Sequence, residues 1–220
     1  MQMGPSRTAA DRANLRQLHA RIRACTKCVA AGYLDAAAPV VAGKIADRVM
    51  IVGQAPGAVE LTTRTPFSGR AGAELRRWLV RAGISEDQRP YRTSITKCFP
   101  GKATGGVGDR RPSPAEIALC APWLEAELAL VRPEIILLVG TLAIDQLWGK
   151  ASLSEVVGSS KRRPLLHDAL LIPLPHPSGA SRWLNDPTNR ARLDRALRLL
   201  ARAWRVLPRV DHAGRVRPRR

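Results

Sequence analysis

Four cysteines are placed so that they could bind one metal centre. Cys25 and Cys28 form a C-x2-C pair, and Cys98 and Cys120 follow much later in the chain. Four thiolates are the ligands of both structural zinc sites and [4Fe–4S] clusters, and sequence spacing does not separate the two. The alternatives are a redox disulfide between Cys25 and Cys28 and four unrelated thiols. Four unrelated thiols explain less, because a close cysteine pair is uncommon without a function. A redox disulfide also explains less, because no predicted strand precedes the pair as a thioredoxin-like site would need.

A second group of chemistry-bearing residues follows predicted strands. The apolar run 49–52 ends in GQAPG at 53–57, and PFSGRAG follows at 66–72. An apolar run bounded by Gly and Pro predicts a buried strand, and open α/β folds bind ligands beyond the carboxyl ends of such strands. The glycine spacing does not fit a dinucleotide fingerprint, and Pro56 lacks an amide that a phosphate would use. His176, between two prolines, follows the last predicted strand.

Helical and strand patterns alternate along the chain and predict how these residues are positioned. Helices are expected at 8–24, 71–82, 113–131 and 189–206, with a shorter one that Thr141 caps and that ends near 148. Strands are expected at 49–52, 91–97, 134–140 and 170–174, and loops at 29–46, 99–112 and 159–163. Ser113, Pro114 and Glu116 provide the third helix with an N-cap, a first-turn proline and a capping-box glutamate. The alternation predicts an α/β fold with a mostly parallel sheet covered on both faces.

The chain carries a large positive charge. Its 36 Lys and Arg outnumber 18 Asp and Glu, which gives a formal charge of +18. Such an excess favours a polyanionic partner, and nucleic acid is the expected one. Residues 1–206 are expected to form one domain, followed by a basic, disordered tail at 207–220.

No membrane segment is expected. The N-terminus lacks the apolar core of a signal peptide, and nowhere do 18 uncharged apolar residues follow one another. A cytoplasmic protein is therefore expected, associated with the nucleoid through DNA. Structural disulfides are not expected in that reducing compartment.

An ordered set of motifs resembles the uracil-DNA glycosylase superfamily, most closely its iron–sulfur members of families 4 and 5. The matching segments span about residues 20–200 in the family's order. They are GQAPG at 53–57, PFSGRAG at 66–72, TSITKC at 93–98, PSPAEI at 112–117, Cys120 and HPS at 176–178. The resemblance implies a three-layer αβα sandwich with a central four-stranded, mostly parallel sheet. It also implies a [4Fe–4S] cluster on Cys25, Cys28, Cys98 and Cys120, with zinc as the alternative.

The activity implied by the resemblance is that of a monofunctional DNA glycosylase. Such an enzyme flips uracil out of DNA and hydrolyses its N-glycosidic bond, leaving an abasic site for base excision repair. We expect a monomer that binds DNA containing uracil or another damaged base. A glycosylase for hypoxanthine or xanthine is the alternative enzyme, and a non-catalytic iron–sulfur DNA-binding protein is the alternative from a different class.

Three side chains are expected to contact the flipped base. Phe67 would stack on its ring, and His176 would donate a hydrogen bond to the uracil O2 as the bond breaks. Ser94 stands where family 4 relatives generally carry an Asn that reads the pyrimidine edge. A hydroxyl makes fewer hydrogen bonds than an amide, so the range of excised bases is expected to differ.

The first motif would supply the opposite side of the pocket. Gln54, with the main chain of Gly53 and Ala55, would contact the base and position water, and Glu60 is the nearest carboxylate that could orient the water. Family 4 usually has Glu at the position of Gln54, and family 1 has Asp at that of Ala55. A neutral amide cannot take up a proton, so Gln54 is not expected to act as a general base.

Two segments are expected to contact DNA, by binding phosphates or by filling the gap that the flipped base leaves. Their residues are Ser178, Ser181, Arg182, Trp183, Lys161, Arg162 and Arg163. Some relatives carry a basic loop with a His that captures the abasic sugar. The loop at 101–112 is basic but contains no His.

Overall fold

Helices and strands alternate from residue 49 to the last long helix, as the sequence predicts. A computed structural model describes residues 8–85, 88, 90–105, 108–178, 182–207, 209–210 and 216–217. The helices are α1 (Ala9–Arg23), α2 (Lys27–Ala30), α3 (Ala58–Thr63), α4 (Arg70–Arg81), α5 (Pro114–Val131), α6 (Thr141–Leu147), α7 (Leu153–Val156) and α8 (Pro187–Val206), with 3₁₀ turns at Pro164–Leu166 and Arg182–Asn185. The strands are β1 (Val49–Gly53), β2 (Tyr91–Ser94), β3 (Ile135–Val139), β4 (Lys161–Arg163), β5 (Ala169–Leu174), β6 (Arg209–Val210) and β7 (Val216–Arg217).

The central sheet has five strands rather than the four expected. Its order is β2-β1-β3-β5-β4; the first four are parallel, and β4 is antiparallel to β5. The loop prediction for 159–163 is wrong over β4. Three consecutive cations give no apolar strand signal, although charged side chains are typical of an edge strand.

Helices cover both faces of this sheet. Alternate residues of β1 point to opposite faces: Met50 and Val52 join a core cluster with α1, α5 and α6, whereas Val49 and Ile51 join one with α4 and α8. Every residue of β1 and β3 is buried, as expected for the central strands of a parallel sheet. The predicted αβα layering is confirmed.

Element ends show where local interactions override the sequence pattern. The capping box at the start of α5 forms as predicted, with Ser113 Oγ accepting from Glu116 N at 3.3 Å. The N-cap of α6 is Gly140 rather than Thr141, because the turn after β3 requires a φ of 85° that favours glycine. Strand β2 ends at Ser94 rather than 97, and the short polar helix α3 was not predicted.

The C-terminal segment is described only in part. Leu207 is buried, one residue past the expected domain boundary, and β6 pairs antiparallel with β7. The other residues of 207–220 lie outside the described part of the chain, so the single-domain boundary and the tail remain predictions. Among the helices described, none combines the length and apolarity needed to cross a membrane.

Candidate active site and cysteine cavity

The four cysteines line one cavity, which α1, α2, β2 and α5 bring together. Cys25 follows α1, Cys28 lies in α2, Cys98 follows β2 and Cys120 lies in α5. The remaining lining is largely apolar and includes Leu34, Ala37, Pro39 and Pro100. Two N–H groups point at sulfur atoms: Trp123 Nε1 donates to Cys25 Sγ and the Lys97 amide donates to Cys120 Sγ, each at 3.3 Å.

Burial raises the thiol pKa values in this cavity. The pKa of Cys98 rises to about 11, and those of Cys28 and Cys120 are also raised, first by burial and then by neighbouring thiols. Thiolates are the form that binds metal, so a cationic group in the cavity would stabilise them.

The donor set of the cavity suits a metal centre with thiolate ligands. The described residues contain no group of three or more His, Cys, Asp or Glu close enough to hold a single metal ion, although all four cysteines face one cavity. A tetrahedral zinc site needs every sulfur within about 2.3 Å of one point. Four thiolates in largely apolar surroundings are also the ligand set of a [4Fe–4S] cluster, so the residues present fit either group.

A buried polar network that no sequence pattern indicated lies beside the cavity. Lys97 Nζ contacts Glu127 Oε2 at 2.7 Å and Thr93 Oγ1 at 2.7 Å, and both charged residues are almost fully buried. Tyr91 donates its hydroxyl to Glu127 Oε1 at 2.9 Å, since burial and that carboxylate raise the tyrosine pKa. His19 Nε2 lies 2.7 Å from the same hydroxyl and therefore acts as the donor. The network fixes the end of β2 against α5.

The second predicted site lies at the carboxyl ends of β1, β2 and β5. His176 lies just past β5 and next to Gly140. A Cβ added to Gly140 would lie 3.6 Å from the Cβ of His176. Its Nδ1 lies 2.9 Å from Ser178 Oγ. Desolvation of the ring by the surrounding protein lowers the pKa of His176, and the negative charge of Asp109 opposes that shift. The imidazole is therefore neutral near pH 7, although part of the residue remains exposed.

Phe67 lies against the end of β1. A Cβ on Gly53 would come within 2.9 Å of Phe67 Cζ, and one on Gly72 within 1.7 Å of the Phe67 carbonyl oxygen. Both glycines therefore permit the close approach of the loop to the strand. Phe67 has a φ of 56°, a left-handed conformation that bulky residues rarely adopt. Its stacking role remains a prediction.

Glu60 is buried and bound to the main chain. Its Oε2 accepts from Gly57 N at 3.0 Å, and its Oε1 accepts from Ser68 N at 2.9 Å and Gly69 N at 3.2 Å. These bonds connect the loop after β1 to the loop before α4. They show Glu60 as a positioning group, and its action on water remains a prediction.

Gln54 and Ala55 of the first motif are half-buried. Gln54 Nε2 donates to the Arg110 carbonyl at 3.3 Å, and the Gln54 carbonyl accepts from Thr96 N at 3.2 Å. Ala55 has no group that could exchange a proton. Gln54 therefore connects β1 to the loop that follows Cys98.

Ser94 is buried at the end of β2. Its hydroxyl donates to the Thr96 carbonyl at 2.7 Å, and its own carbonyl accepts from Lys97 Nζ at 2.6 Å. The hydroxyl proton is thus already used, which leaves acceptor capacity only. Reading of the base by Ser94 remains a prediction.

The loop after Cys98 forms a hairpin that reaches the strand-end site. Ala103 N donates to the Gly108 carbonyl at 3.1 Å, and Arg110 N donates to the Gly101 carbonyl at 3.0 Å. Asp109 lies at this hairpin, and its Oδ1 pairs with Lys102 Nζ at 2.8 Å. No sequence motif points to this carboxylate, whose only signal is its place in the basic loop.

Arg110 anchors the hairpin to α5. Its guanidinium makes two hydrogen bonds of 2.7 Å to the two carboxylate oxygens of Glu116. Arg110 and Ser113 lower the pKa of the nearly buried Glu116 to about 2. Glu116 also lines the cysteine cavity, so this ion pair connects the two sites.

The predicted DNA-contacting loop lies beside His176. Ser178 is half-buried and Arg182 exposed, whereas Ser181 lies outside the described residues. Trp183 is half-buried against the core, and its Nε1 donates to Ser154 Oγ at 3.2 Å. The indole is thus packed and hydrogen-bonded, and its insertion into DNA remains a prediction.

The three cations of β4 lie along the sheet edge. Lys161 Nζ donates to the Trp148 carbonyl at 2.7 Å, and Arg162 donates to the Asp168 carbonyl at 2.8 Å. Arg163 pairs with Ala169, at the amino end of β5. Arg163 therefore lies near the opposite end of the strand from His176, and phosphate contact by these cations remains a prediction.

Comparison with known proteins supports the resemblance. The Uracil DNA glycosylase superfamily model matches residues 40–201. A Type-4 uracil-DNA glycosylase of Thermotoga maritima is 32% identical over 162 residues, covering 69% of this chain and 80% of that protein. One of Pyrobaculum aerophilum is 33% identical, covering 66% of this chain and 72% of that protein. A Type-5 uracil-DNA glycosylase of Thermus thermophilus is 36% identical, covering 46% and 49%.

Proposed function

The chain belongs to the uracil DNA glycosylase superfamily, and we propose that it excises uracil from DNA by hydrolysing the N-glycosidic bond. The product is an abasic site in an intact strand, which base excision repair then processes. The observation that carries the proposal is the similarity, over most of both chains, to proteins named Type-4 uracil-DNA glycosylase. We propose that the protein acts as a monomer on DNA.

His176 stabilises the leaving uracil in this proposal. When the bond between C1′ and N1 breaks, its electron pair passes to the base, and negative charge develops on O2. The neutral imidazole can accept the Ser178 hydroxyl proton at Nδ1, which leaves Nε2–H as a donor toward O2. Ser178 thereby selects the productive tautomer.

Phe67 and the end of β1 hold the flipped base. The half-buried ring would stack on the base, and stacking of this kind contributes about 1–3 kcal/mol per base. Gln54 and the main chain of Gly53 and Ala55 contact the base edge, while Ser94 offers an acceptor. Because Ser94 offers no free donor, its discrimination between bases differs from that of an amide.

The four cysteines hold a [4Fe–4S] cluster in this proposal. Four thiols around one largely apolar cavity support the cluster, which the family resemblance implies. When bound, the cluster supplies cross-links between α1, α2, α5 and the segment after β2, and it takes no part in the hydrolysis. Visible charge-transfer absorbance and four irons per chain are the expected findings; one zinc per chain without that absorbance would contradict the cluster.

An excision assay tests the proposed activity. Purified protein is incubated with single- and double-stranded oligonucleotides that contain uracil, hypoxanthine or xanthine, and alkali then cleaves abasic sites. Cleavage of the uracil strands only after alkali is expected. Excision confined to hypoxanthine or xanthine would favour the alternative glycosylase, and salt-dependent binding without any excision would favour a non-catalytic DNA-binding protein.

A further inference from the structure

We propose that Asp109 is the carboxylate that activates the hydrolytic water, a role for which Gln54 and Ala55 have no acidic group. The inference rests on the proposed excision of uracil. It names the general base that takes a proton from the attacking water. The carboxylate belongs to the hairpin after Cys98 and not to the first motif, and it reaches the same end of the sheet.

The position of Asp109 connects the two sides of the strand-end site. Its Oδ2 lies 3.1 Å from the point where a Cβ on Gly57 would stand, and Glu60 Oε2 lies 2.9 Å from that point. On the other side, its charge is close enough to influence the ionisation of His176. Asp109 therefore lies against the first motif, and its charge acts on the residue that stabilises the leaving base.

The two neighbouring carboxylates differ in what they can still bind. Glu60 is buried and accepts three main-chain N–H bonds. About a third of the Asp109 side chain is exposed, Lys102 occupies its Oδ1, and no hydrogen bond from the described residues reaches its Oδ2. Asp109 is thus the carboxylate with an oxygen open to water.

The hairpin is held in place by groups that reach both sites. Gln54 Nε2 donates to the Arg110 carbonyl at 3.3 Å, directly after Asp109 in the chain. The Arg110 guanidinium in turn forms a bidentate ion pair with Glu116 on α5. Gln54, which cannot take up a proton, thereby positions the loop whose carboxylate can.

The chemical step balances with water as the only co-reactant. The bond between C1′ and N1 breaks, and its electron pair leaves with uracil as an anion. A water oxygen forms a bond to C1′ while one of its protons passes to Asp109. That proton is then released to solvent or to the uracil anion, which yields neutral uracil and an abasic sugar.

The test compares Asp109→Asn with a control variant at another exposed carboxylate. Single-turnover excision of uracil and the Kd for the same oligonucleotide are measured for each protein. Asp109→Asn is expected to slow excision about 10²- to 10⁴-fold with less than about a threefold change in Kd. Asp168→Asn, which removes another exposed carboxylate, is expected to keep the rate within about threefold of wild type. Asp109→Glu should recover part of the rate.

The outcomes separate this inference from the proposed function. If the wild type excises uracil and Asp109→Asn does so within about threefold, the assignment of Asp109 is overturned and the proposed function stands. A rate loss matched by an equal loss of affinity would also overturn it, because a structural role would then suffice. If the wild type excises no uracil at all, the proposed function fails and this role fails with it. Melting temperature and visible absorbance, measured on every variant, show whether Asp109→Asn remains folded.

Discussion

The charged side chains beside the cysteine cavity are hydrogen-bonded and ion-paired within the protein, and we call this the saturated region. Those at the carboxyl ends of the strands keep atoms open to solvent, and we call this the open region. Lys97 and Glu127 are almost fully buried, and each makes several short contacts. Asp109 and His176 are partly exposed, with atoms that face solvent or a neighbouring loop. A buried charge without partners is costly, so the first region must be complete before any ligand arrives.

This difference indicates that one region stabilises the fold and the other carries the catalytic groups. The end of β2 and the hairpin after Cys98 belong to both, since Lys97 precedes a cavity cysteine and Arg110 pairs with Glu116 at the cavity wall. The saturated region fixes these segments, and the open region can then present His176 and Asp109 in defined positions. A change in the first region should reduce stability, and a change in the second should reduce rate.

The largest expected effect is on stability, from Glu127→Gln. This change leaves the Lys97 ammonium buried without its counter-charge, and breaking such a pair costs about 3–5 kcal/mol. Equilibrium unfolding in urea measures the free energy of unfolding. Glu125→Gln, an exposed change on the same helix, is the matched control and should alter stability by less than about 0.5 kcal/mol. Equal stability of the two variants would remove the distinction between the regions.

His176→Ala should give the complementary result. Loss of one donor to a developing oxyanion lowers single-turnover excision about 10²- to 10³-fold, equivalent to about 2.7–4 kcal/mol of activation free energy. The free energy of unfolding and the Kd for DNA should change little, because the residue is partly exposed. His167→Asn, on an exposed turn away from the strand ends, serves as the control and should retain the wild-type rate. An excision rate unchanged by His176→Ala would refute the assigned role.

The next effect is a pH dependence at Glu116, where the two regions meet. Its folded pKa of about 2 lies below the usual 4.5, so the ionised form stabilises the fold. This contribution is fully present above pH 4.5 and is lost as the pH falls through about 2. Glu116→Gln should therefore unfold more easily at pH 7, by an amount on the order of 2–3 kcal/mol.

The measurement for Glu116 is the difference in unfolding free energy between wild type and Glu116→Gln across this pH range. Because both proteins keep the same cysteines, acid effects on the cavity largely cancel in the difference. The difference should shrink between pH 4.5 and 2. A difference that stays constant over this range would show that Arg110 does not stabilise the carboxylate.

The sequence predicted the elements whose signal is local. Apolar runs located β1 and β3, and the capping box located the start of α5. The edge strand β4 was missed because its three cations carry no apolar pattern and its hydrogen bonds depend on β5. The turn before α6 was misassigned because the chain turns after β3 through the positive φ of Gly140, which the apolar pattern does not indicate.

The candidate site was predictable only where a motif carries it. The strand-end position of His176 and the shared cavity of the four cysteines followed from order along the chain. Asp109 did not, because it lies more than 50 residues from Gln54 and reaches the site through the hairpin. The Lys97–Glu127 pair is similar: each residue alone looks like an ordinary surface charge, and only the packing of β2 on α5 makes it a buried pair.

The smallest expected effect tests where DNA lies relative to the two regions. Arg182 is exposed close to His176 in the chain, whereas Arg162 lies on the edge strand and pairs with Asp168. Each phosphate contact contributes about 0.9 to the slope of log K against log salt for duplex DNA. Arg182→Gln should therefore reduce the magnitude of that slope by about 1, and Arg162→Gln by less than half as much. Salt titrations of binding to one uracil-containing duplex measure both slopes. A reduction as large for Arg162→Gln would mean that the DNA path also follows β4, and that the open region extends across the sheet edge.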